Sequence, residues 1–263
     1  VVGSGPSGLT AASDLSGMGY AVTIFERDQV AGGIVQHYVP VYRLPRQFIK
    51  SDVDNIVALG VEIKTGSELG KHFTLKDLQS QGFKAVLLAL GLPESRSLPL
   101  PGVEAKDVML ALPFLKSVNF EGFRFPPGKD VIVVGGGNVA VDVARSAKRA
   151  GAASIHMVCL ESRAEIPASP WEIKEAEEEG IDINCSFGPR CILVDKGGAV
   201  KGLECKGVKS VFDEQRRFNP TFYEDKLTSF SGNIVILAIG QSHNLSYLKD
   251  MGVDINEVKQ ASL

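Results

Sequence analysis

The sequence lacks the features that mark membrane proteins and proteins that bind nucleic acids. No apolar run approaches the roughly 20 residues that cross a bilayer, so we predict no membrane insertion. Basic residues are not in excess, because 28 Lys and Arg stand against 31 Asp and Glu, for a formal net charge of −3. We therefore predict no binding to nucleic acid. The balance of 44% hydrophobic and 22% charged residues is typical of a globular protein.

Cysteine is also scarce, and the sequence contains no CxxC. The four cysteines are Cys159, Cys185, Cys191 and Cys205. Their spacing matches neither a disulfide framework nor a zinc or iron–sulfur site, so we predict no metal site in this chain. We expect unpaired thiols in a reducing compartment, and hence a cytoplasmic protein. The four histidines are isolated in the sequence, and no catalytic residue is predicted.

Glycine, by contrast, is frequent, and its 28 residues cluster. The first cluster consists of Gly3, Ser4, Gly5, Pro6, Ser7 and Gly8. It follows a short apolar start and precedes a helical pattern and the strand-like stretch AVTIFE. A GxGxxG turn between strand and helix holds a dinucleotide pyrophosphate, and an acid at the end of the next strand, here Glu26, binds ribose hydroxyls. The alternative is a surface glutamate in a fold without a ligand.

The same design returns in the second half of the chain. The second cluster consists of Gly135, Gly136, Gly137, Asn138, Val139 and Ala140. It lies between the strand-like VIVV and a helical pattern, and Glu161 follows the next predicted strand. Two such units predict one site for a flavin dinucleotide and one for a nicotinamide dinucleotide, with electrons passing between them. The alternative for this cluster is a packing turn without a ligand.

The remaining pattern alternates helices and strands. We predict helices at RQFIKSDVDNIVALG, TLKDLQSQG and WEIKEAEEEG, and buried strands at KAVLLAL and NIVILAIG. Residues 191–230 are expected to form short hairpin strands with polar turns. We expect the acidic run to be a solvated helix face and Trp171 to pack locally. Asp142 and Arg145 are three residues apart on one predicted helix and could pair.

Several motifs, in a fixed order, resemble one known family. They are GSGPSGL with FERDQVAGG, VYRLPRQFI, AVLLALG, VVGGGNVAVDVAR, IPASPWEI and ILAIGQSHN. The chain is similar over essentially its whole length to the flavoprotein module of the NADPH-dependent glutamate synthase small subunit, which also occurs in dihydropyrimidine dehydrogenase and in flavin subunits of related iron–sulfur complexes. The resemblance implies hydride transfer between nicotinamide and FAD, with [4Fe–4S] clusters outside this chain segment.

The resemblance also implies a domain organisation. We expect an α/β protein with two tandem Rossmann-like dinucleotide-binding domains, the second inserted into the first. The expected FAD-binding domain covers residues 1–110 and resumes, truncated, at 242–263, and the expected NAD(P)-binding domain covers 111–241. The opening VVGSG, where a strand is already finishing, suggests part of a longer chain. The family's C-terminal Gly-Asp motif, which contacts the flavin, is expected after Leu263.

Individual site residues follow from the same resemblance. It implies that Gly3, Gly5 and Gly8 lie on the FAD pyrophosphate and that Glu26 lies on the adenosine ribose. Further residues implied at or near the cofactors are Arg27, Gly32, Gly33, Arg43, Leu44, Gly91, Gly240 and Gln241. The alternative for Arg43 is a solvated loop base, and at Gly91 the family's preceding threonine is replaced by Leu90.

The stretch CLESRAEIP predicts which nicotinamide nucleotide is used. Where NADPH-using members of the family carry paired arginines, this chain has Leu160 and Glu161, and Arg163 keeps a third arginine. A guanidinium suits a 2′-phosphate, whereas a carboxylate suits the two ribose hydroxyls and repels a phosphate. We therefore predict NADH in preference to NADPH, with Arg163 as the residue that could still reach a phosphate.

Three functions are compatible with the sequence. The first is an electron-transfer flavoenzyme that passes electrons from NAD(P)H through FAD to an iron–sulfur protein or domain, with a possible large catalytic subunit. An electron-bifurcating or other reductase complex could use the same module. The second is a stand-alone FAD-dependent disulfide reductase or monooxygenase, against which the missing CxxC argues. The third is a non-catalytic scaffold, against which both intact glycine clusters argue.

Overall fold

The computed structural model describes residues 1–253, which form two compact units. The first unit comprises residues 1–94 and the segment from 242 onward, and the second comprises residues 95–241. The second unit is therefore continuous in sequence and interrupts the first. The expected boundary after residue 110 differs from the division after Glu94, because the strand Val108–Leu110 pairs within the sheet of the second unit.

The described helices and strands alternate along most of the chain. The helices are α1 (Pro6–Gly17), α2 (Gly33–His37), α3 (Arg46–Ala58), α4 (Leu75–Ser80), α5 (Ala111–Phe120), α6 (Asn138–Arg149), α7 (Pro170–Glu178) and α8 (Ser246–Asp250). The strands are β1 (Thr23–Phe25), β2 (Glu62–Lys64), β3 (Glu94–Ser95), β4 (Val108–Leu110), β5 (Asp130–Val134), β6 (Ser154–Val158), β7 (Asp182–Asn184), β8 (Phe187–Val194), β9 (Val200–Phe212), β10 (Phe218–Ser231), β11 (Ile234–Leu237) and β12 (Gln241–Ser242). Among these residues, no helix has both the length and the hydropathy to cross a bilayer.

The first unit has a small parallel sheet behind its glycine turn. Val2 forms bridges to Phe25 on one side and Leu88 on the other, and β1 pairs in parallel with β2. Helix α1 begins at Pro6, whose fixed φ suits the first helical turn. Leu9 of this helix is buried with the apolar side chains of the sheet, and this packing places the start of α1 directly after the turn.

The predicted buried strand at KAVLLAL is wrong in its burial. The Val2 amide donates to Leu87 O and the Ala89 amide donates to Val2 O, both at 2.8 Å, so the segment does align beside the first strand. However, Val86 and Leu87 are 36% and 44% exposed. A parallel strand is buried only where layers cover both of its faces, and the described residues cover this segment incompletely.

The second unit is built on a five-stranded parallel sheet in the order β4-β11-β5-β6-β7. The continuous apolar runs of β5 and β11 lie at its centre, where Ile132 and Val235 are fully buried. The predicted buried strand at NIVILAIG is therefore confirmed. Helix α6 follows β5 through the second glycine turn and buries Val141 and Ala144. This β-turn-α arrangement is the second unit's counterpart of the turn at Gly3.

Residues 187–231 form a three-stranded antiparallel sheet in the order β10-β9-β8. Strands β9 and β10 contain 13 and 14 residues, so the prediction of short strands is wrong in length. The register of β10 against β9 shifts between Phe218 and Thr221 and again between Phe222 and Leu227. Such bulges interrupt the period-two alternation that identifies a strand, and they make a long strand resemble several short ones.

Helix α7 is less solvated than its acidic sequence suggests. Arg145 of α6, which is 8% exposed, donates to Glu175 and Glu179, and Arg149 also donates to Glu179. These arginines lower the pKa of Glu179 to about 2, chiefly through the hydrogen bond from Arg149. Trp171, at the start of α7, is 56% exposed, and its local packing stays a prediction.

Candidate functional site

The first glycine turn is too crowded for side chains at two of its three glycines. Gly3 has a φ of +102°, and a methyl group there would lie 2.3 Å from Ala89 O. A methyl group on Gly8 would lie 2.0 Å from Gly3 O. At Gly5, by contrast, a methyl group would meet no described atom within 4 Å. The turn is therefore tight behind its first and third glycines and open at the second, where a ligand can approach the backbone.

The second turn repeats this arrangement. Gly135 has a φ of +142°, and a methyl group there would lie 2.3 Å from Ala238 O. A methyl group on Gly137 would meet no described atom within 4 Å. The third position is Ala140, whose Cβ would be 3.3 Å from a methyl group on Gly135. The start of α6 therefore lies far enough from the end of β5 to accommodate the methyl group of Ala140.

Glu26 is fixed against the first turn. It is 5% exposed, and its Oε2 accepts from the amide and the hydroxyl of Ser4 at 2.9 and 2.5 Å. Its Oε1 accepts from the Asp28 amide at 2.8 Å. Because a carboxylate oxygen accepts more than one hydrogen bond, these contacts orient the group and leave acceptor capacity for a ligand hydroxyl.

The AGG turn packs directly on the first glycine turn. The Gly32 amide donates to Ser4 Oγ at 3.1 Å. A methyl group on Gly33 would lie 2.6 Å from Gly5 Cα, so only glycine allows this approach. The resemblance grouped these segments, and the structure brings them into contact.

A cleft of about 690 Å³ opens beside these segments within the first unit. Predicted residues that line it are Gly3, Gly5, Pro6, Ser7, Glu26, Arg27, Gly33 and Gly91. This volume lies in the range of small-molecule and cofactor sites, about 300–1,000 Å³. Eight of the twelve site residues predicted for this unit therefore share one cavity.

The other four predicted residues of this unit do not line the cleft but lie in the segments around it. Gly8 lies behind the turn and Gly32 lies beneath it. The amides of Arg43 and Leu44 both donate to Pro40 O, which forms a turn. The Arg46 guanidinium holds this loop by donating to the carbonyls of Val35, Val39 and Leu44.

Sequence reasoning did not single out several residues of the cleft wall. His243, Asn244, Leu245 and Tyr247, on the returning segment, line the cleft, as do Glu68 and Lys71. His243 and Asn244 end the motif ILAIGQSHN, which is their only sequence signal. For Leu245 and Tyr247 the only signal is the predicted return of the chain to its first domain, which names no side chain. Residues 254–263 of that return lie outside the described residues.

In the second unit, Glu161 rather than Arg163 lies over the glycine turn. A methyl group on Gly136 would be 2.9 Å from Glu161 Oε2. The Arg163 guanidinium instead lies 2.7 Å from Glu177 Oε1 on α7, and both side chains are about half exposed. The carboxylate and the guanidinium that follow β6 therefore have different partners.

Two hydrogen bonds tie the 160–169 segment to the second turn. The Ala168 amide donates to Gly136 O at 3.1 Å, and the Ser169 amide donates to Asn138 Oδ1 at 2.8 Å. Asn138 thus anchors this segment, and Val139 follows it in the first turn of α6. At the end of the unit, Gly240 O accepts from the Arg96 amide at 3.0 Å, and Gln241 begins β12.

Comparison with known proteins identifies relatives over nearly the whole chain. NADP(+)-dependent formate dehydrogenase subunit beta of Moorella thermoacetica is 38% identical over 251 residues, which cover 94% of this chain and 35% of that protein. NADPH-Fe(3+) oxidoreductase subunit beta of Geobacter sulfurreducens is 36% identical over 271 residues, covering 98% and 39%. NAD-dependent dihydropyrimidine dehydrogenase subunit PreT of Escherichia coli is 31% identical over 259 residues, covering 98% and 57%. The chain therefore spans about a third to somewhat over half the length of these relatives.

A solved structure and a family model point to the same class of protein as these relatives. FprA of Mycobacterium tuberculosis in complex with NADPH superposes with a TM-score of 0.76 at 17% identity, covering 91% of this chain and 70% of that one, which supports an α/β fold of the same kind. The family model for pyridine nucleotide-disulphide oxidoreductases matches residues 1–261. Together, the relatives and the family model confirm the resemblance to glutamate synthase small subunit-like proteins. This chain belongs to the pyridine nucleotide-disulphide oxidoreductase family.

Proposed function

We propose that this protein is a flavin-dependent oxidoreductase in which the first unit binds FAD and the second binds a nicotinamide dinucleotide, as two Rossmann-like domains in tandem. The observation that carries the proposal is the shared geometry of the two glycine turns, each closed behind its first glycine and open at its second. The family membership supports the same conclusion.

The first unit offers the groups that FAD requires. Gly5, Pro6 and Ser7 line the cleft where α1 begins, so the helix N-terminus would face the pyrophosphate. Glu26, oriented by Ser4, would accept hydrogen bonds from the adenosine ribose. Arg27 and Gly91 also line this cleft and would contact the cofactor.

The second unit offers the groups that a nicotinamide dinucleotide requires. The open edge at Gly137 and the start of α6 would face its pyrophosphate. Glu161 would bind the adenosine ribose because its carboxylate lies over the turn. Gly240 and Gln241 would lie near the cofactors, as the resemblance implies.

Bound FAD would accept two electrons as hydride and release them one at a time, which suits transfer to iron–sulfur clusters. We propose that such clusters lie on an iron–sulfur protein or domain outside this segment, with a possible large catalytic subunit. The names of three relatives, each a subunit, support a multi-subunit assembly. A reductase complex of another type, including a bifurcating one, would use the same two sites.

We further propose that NADH is preferred over NADPH. The names of the relatives include both NADP-dependent and NAD-dependent proteins, so the argument rests on the residues of this chain. The Glu161 carboxylate over the turn would repel a 2′-phosphate. Arg163, which could attract one, is paired with Glu177.

Anaerobic flavin reduction tests the proposed function. The full chain, loaded with FAD, is titrated with NADH while its visible absorbance is followed. Bleaching at one NADH per flavin is expected. If FAD binds but neither NADH nor NADPH bleaches it, the scaffold hypothesis replaces the enzymatic one. Failure to bind FAD at all would overturn the assignment of the first unit.

A further inference from the structure

Two of the four thiols lie side by side in the second unit, although 26 residues separate them in the sequence. Strands β6 and β7 are parallel, with Val158 opposite Asn184, and Cys159 and Cys185 are the next residue of each. Their Sγ atoms are 3.8 Å apart. Neighbouring strands lie about 5 Å apart, and a disulfide spans Cα atoms separated by about 4.4–6.8 Å. The backbone therefore already suits a disulfide.

Hydrogen bonds on both sides hold the two cysteines in this register. The Cys159 amide donates to Asn184 O at 3.0 Å, and the Phe187 amide donates to Cys159 O at 2.9 Å. Ser186, directly after Cys185, has a φ of +64°, which is uncommon for a residue with a side chain. Its amide donates to Glu161 O at 2.8 Å. The chain thus turns sharply just after Cys185 and is fixed there.

We propose that Cys159 and Cys185 form a reversible disulfide when the protein meets a hydroperoxide. The Cys185 thiolate attacks the peroxide, the O–O bond breaks, and the proton that the thiol released returns to the leaving oxygen. The products are a sulfenic acid and an alcohol, or water when the peroxide is hydrogen peroxide. The Cys159 sulfur then attacks Cys185 Sγ, so that the S–S bond forms, the S–O bond breaks, and water leaves with the thiol proton. In sum, two thiols lose two electrons and two protons, and the hydroperoxide becomes an alcohol and water.

The order of these steps follows from burial. Cys185 is half-buried, whereas Cys159 is 3% exposed. Burial, followed by the proximity of Cys185, raises the pKa of the Cys159 thiol. Because the peroxide must reach the attacking sulfur, the first attack belongs to the more exposed Cys185. Cys159, with its Sγ already 3.8 Å from Cys185 Sγ, makes the second attack as its thiol proton passes to the leaving hydroxyl group.

The disulfide site adjoins the second glycine turn. Cys159 Cβ would be 3.0 Å from a methyl group on Gly136, and the Cys159 thiol donates to Glu161 O at a sulfur–oxygen distance of 3.7 Å. Oxidation removes this donor and draws the sulfur towards Cys185. We expect Glu161 to shift and NADH binding to weaken, a consequence that rests on the proposed function of this turn.

Peptide mapping tests the disulfide itself. The full chain is treated with hydrogen peroxide and digested without reductant. The expected product is a Cys159–Cys185 peptide pair that dithiothreitol separates, present in Cys191→Ser and absent in Cys185→Ser. Cys191→Ser is the matched control because Cys191 and Cys205 also lie on adjacent strands. A Cys191–Cys205 bridge in the wild type, or overoxidised Cys185 beside a free Cys159, overturns the proposal.

Titration with NADH tests the consequence for the site. Oxidised wild-type protein should bind NADH about tenfold more weakly than reduced protein, within the usual range of coupling between sites. Peroxide should leave the NADH affinity of Cys185→Ser unchanged. A mapped disulfide with unchanged NADH affinity overturns the coupling to Glu161. If reduced protein does not bind NADH while the disulfide still forms, the proposed function fails and the disulfide site stands.

Discussion

Gly3 and Gly135 occupy equivalent places in the two units, each between a strand and a helix and each against an alanine carbonyl. A methyl group on either would lie 2.3 Å from that oxygen, on Ala89 or Ala238. The acids that follow are held differently. Glu26 is buried and accepts three hydrogen bonds from Ser4 and Asp28, whereas Glu161 is half-buried over the turn. The same type of glycine turn is therefore followed by a buried, hydrogen-bonded acid in the first unit and by a more accessible acid in the second.

Substitutions at the third position of each glycine turn, Gly8 and Ala140, should give the largest difference in stability between the two units. Gly8→Ala places a methyl group 2.0 Å from Gly3 O, so we expect a loss of about 3 kcal/mol in the free energy of unfolding, together with loss of FAD. Ala140→Gly should cost only about 1 kcal/mol, through helix propensity. Chemical denaturation measures both values. Equal effects of the two substitutions would contradict the tighter packing of the first turn.

Neutralising the acid that follows each turn, Glu26 or Glu161, should give the second largest difference in stability. Glu26→Gln removes a buried charge that accepts hydrogen bonds from Ser4 and Asp28 and should destabilise the fold by about 2 kcal/mol. Glu161→Gln should change stability by no more than about 0.5 kcal/mol. Thermal unfolding of the two variants, each at the same ionic strength, checks the comparison. A larger loss for Glu161→Gln would reverse the assignment of fixed and accessible acids.

The helices after the two turns should respond differently to pH. Helix α1 has one charged residue, Asp14, whereas α6 is tied to Glu179 through Arg145 and Arg149. Because the pKa of Glu179 falls from 4.5 to about 2 on folding, its contribution is complete above about pH 4.5 and is lost as the pH falls towards 2.

Glu179→Gln should therefore lower stability by about 1 kcal/mol at neutral pH and by progressively less in acid. Unfolding of the wild type and of Glu179→Gln by urea at a series of pH values gives the two curves. A Glu179→Gln deficit that persists at pH 2 would show that the interaction is not one of charge.

The open glycines should have the smallest effect on stability. Gly5→Ala and Gly137→Ala place a methyl group where no described atom lies within 4 Å, so each should cost no more than about 0.5 kcal/mol. Each methyl group would instead obstruct the ligand. We expect Gly5→Ala to lose FAD and Gly137→Ala to bind NADH at least about tenfold more weakly, or about 1.4 kcal/mol. If Gly5→Ala weakened NADH and Gly137→Ala weakened FAD, the assignment of cofactors to units would be exchanged.

The sequence predicts the two glycine turns, their helices and the core strand β11 well, because glycine spacing and apolar runs act locally. It predicts burial poorly at Val86 and Leu87, since the same apolar run is buried only where other elements cover it. Strand β10 is longer than the sequence predicts, because its bulges break the alternation of buried and exposed residues. Local sequence patterns therefore predict the turns, helices and core strands, whereas burial and strand length depend on contacts between distant residues.

The same limit applies to the candidate site. The sequence predicts Glu161 as the ribose-binding acid but leaves open whether Arg163 reaches a phosphate, because the partner of Arg163 is Glu177, on a separate helix. Likewise, the proximity of Cys159 and Cys185 depends on the pairing of β6 with β7, and neither residue belongs to a spacing motif. Only the fold brings such residues together.

The ratio of kcat/KM for NADH to that for NADPH tests most directly how the accessible acid of the second turn is used. Glu161→Arg should shift this ratio towards NADPH by at least about tenfold, since it replaces a repelling carboxylate by a guanidinium. Glu165→Arg makes the same change of charge in the same segment, at an exposed side chain that accepts a hydrogen bond from Ser162 Oγ, and should shift the ratio little. The account predicts that wild-type protein prefers NADH; a wild-type preference for NADPH, unchanged in Glu161→Arg, would contradict it.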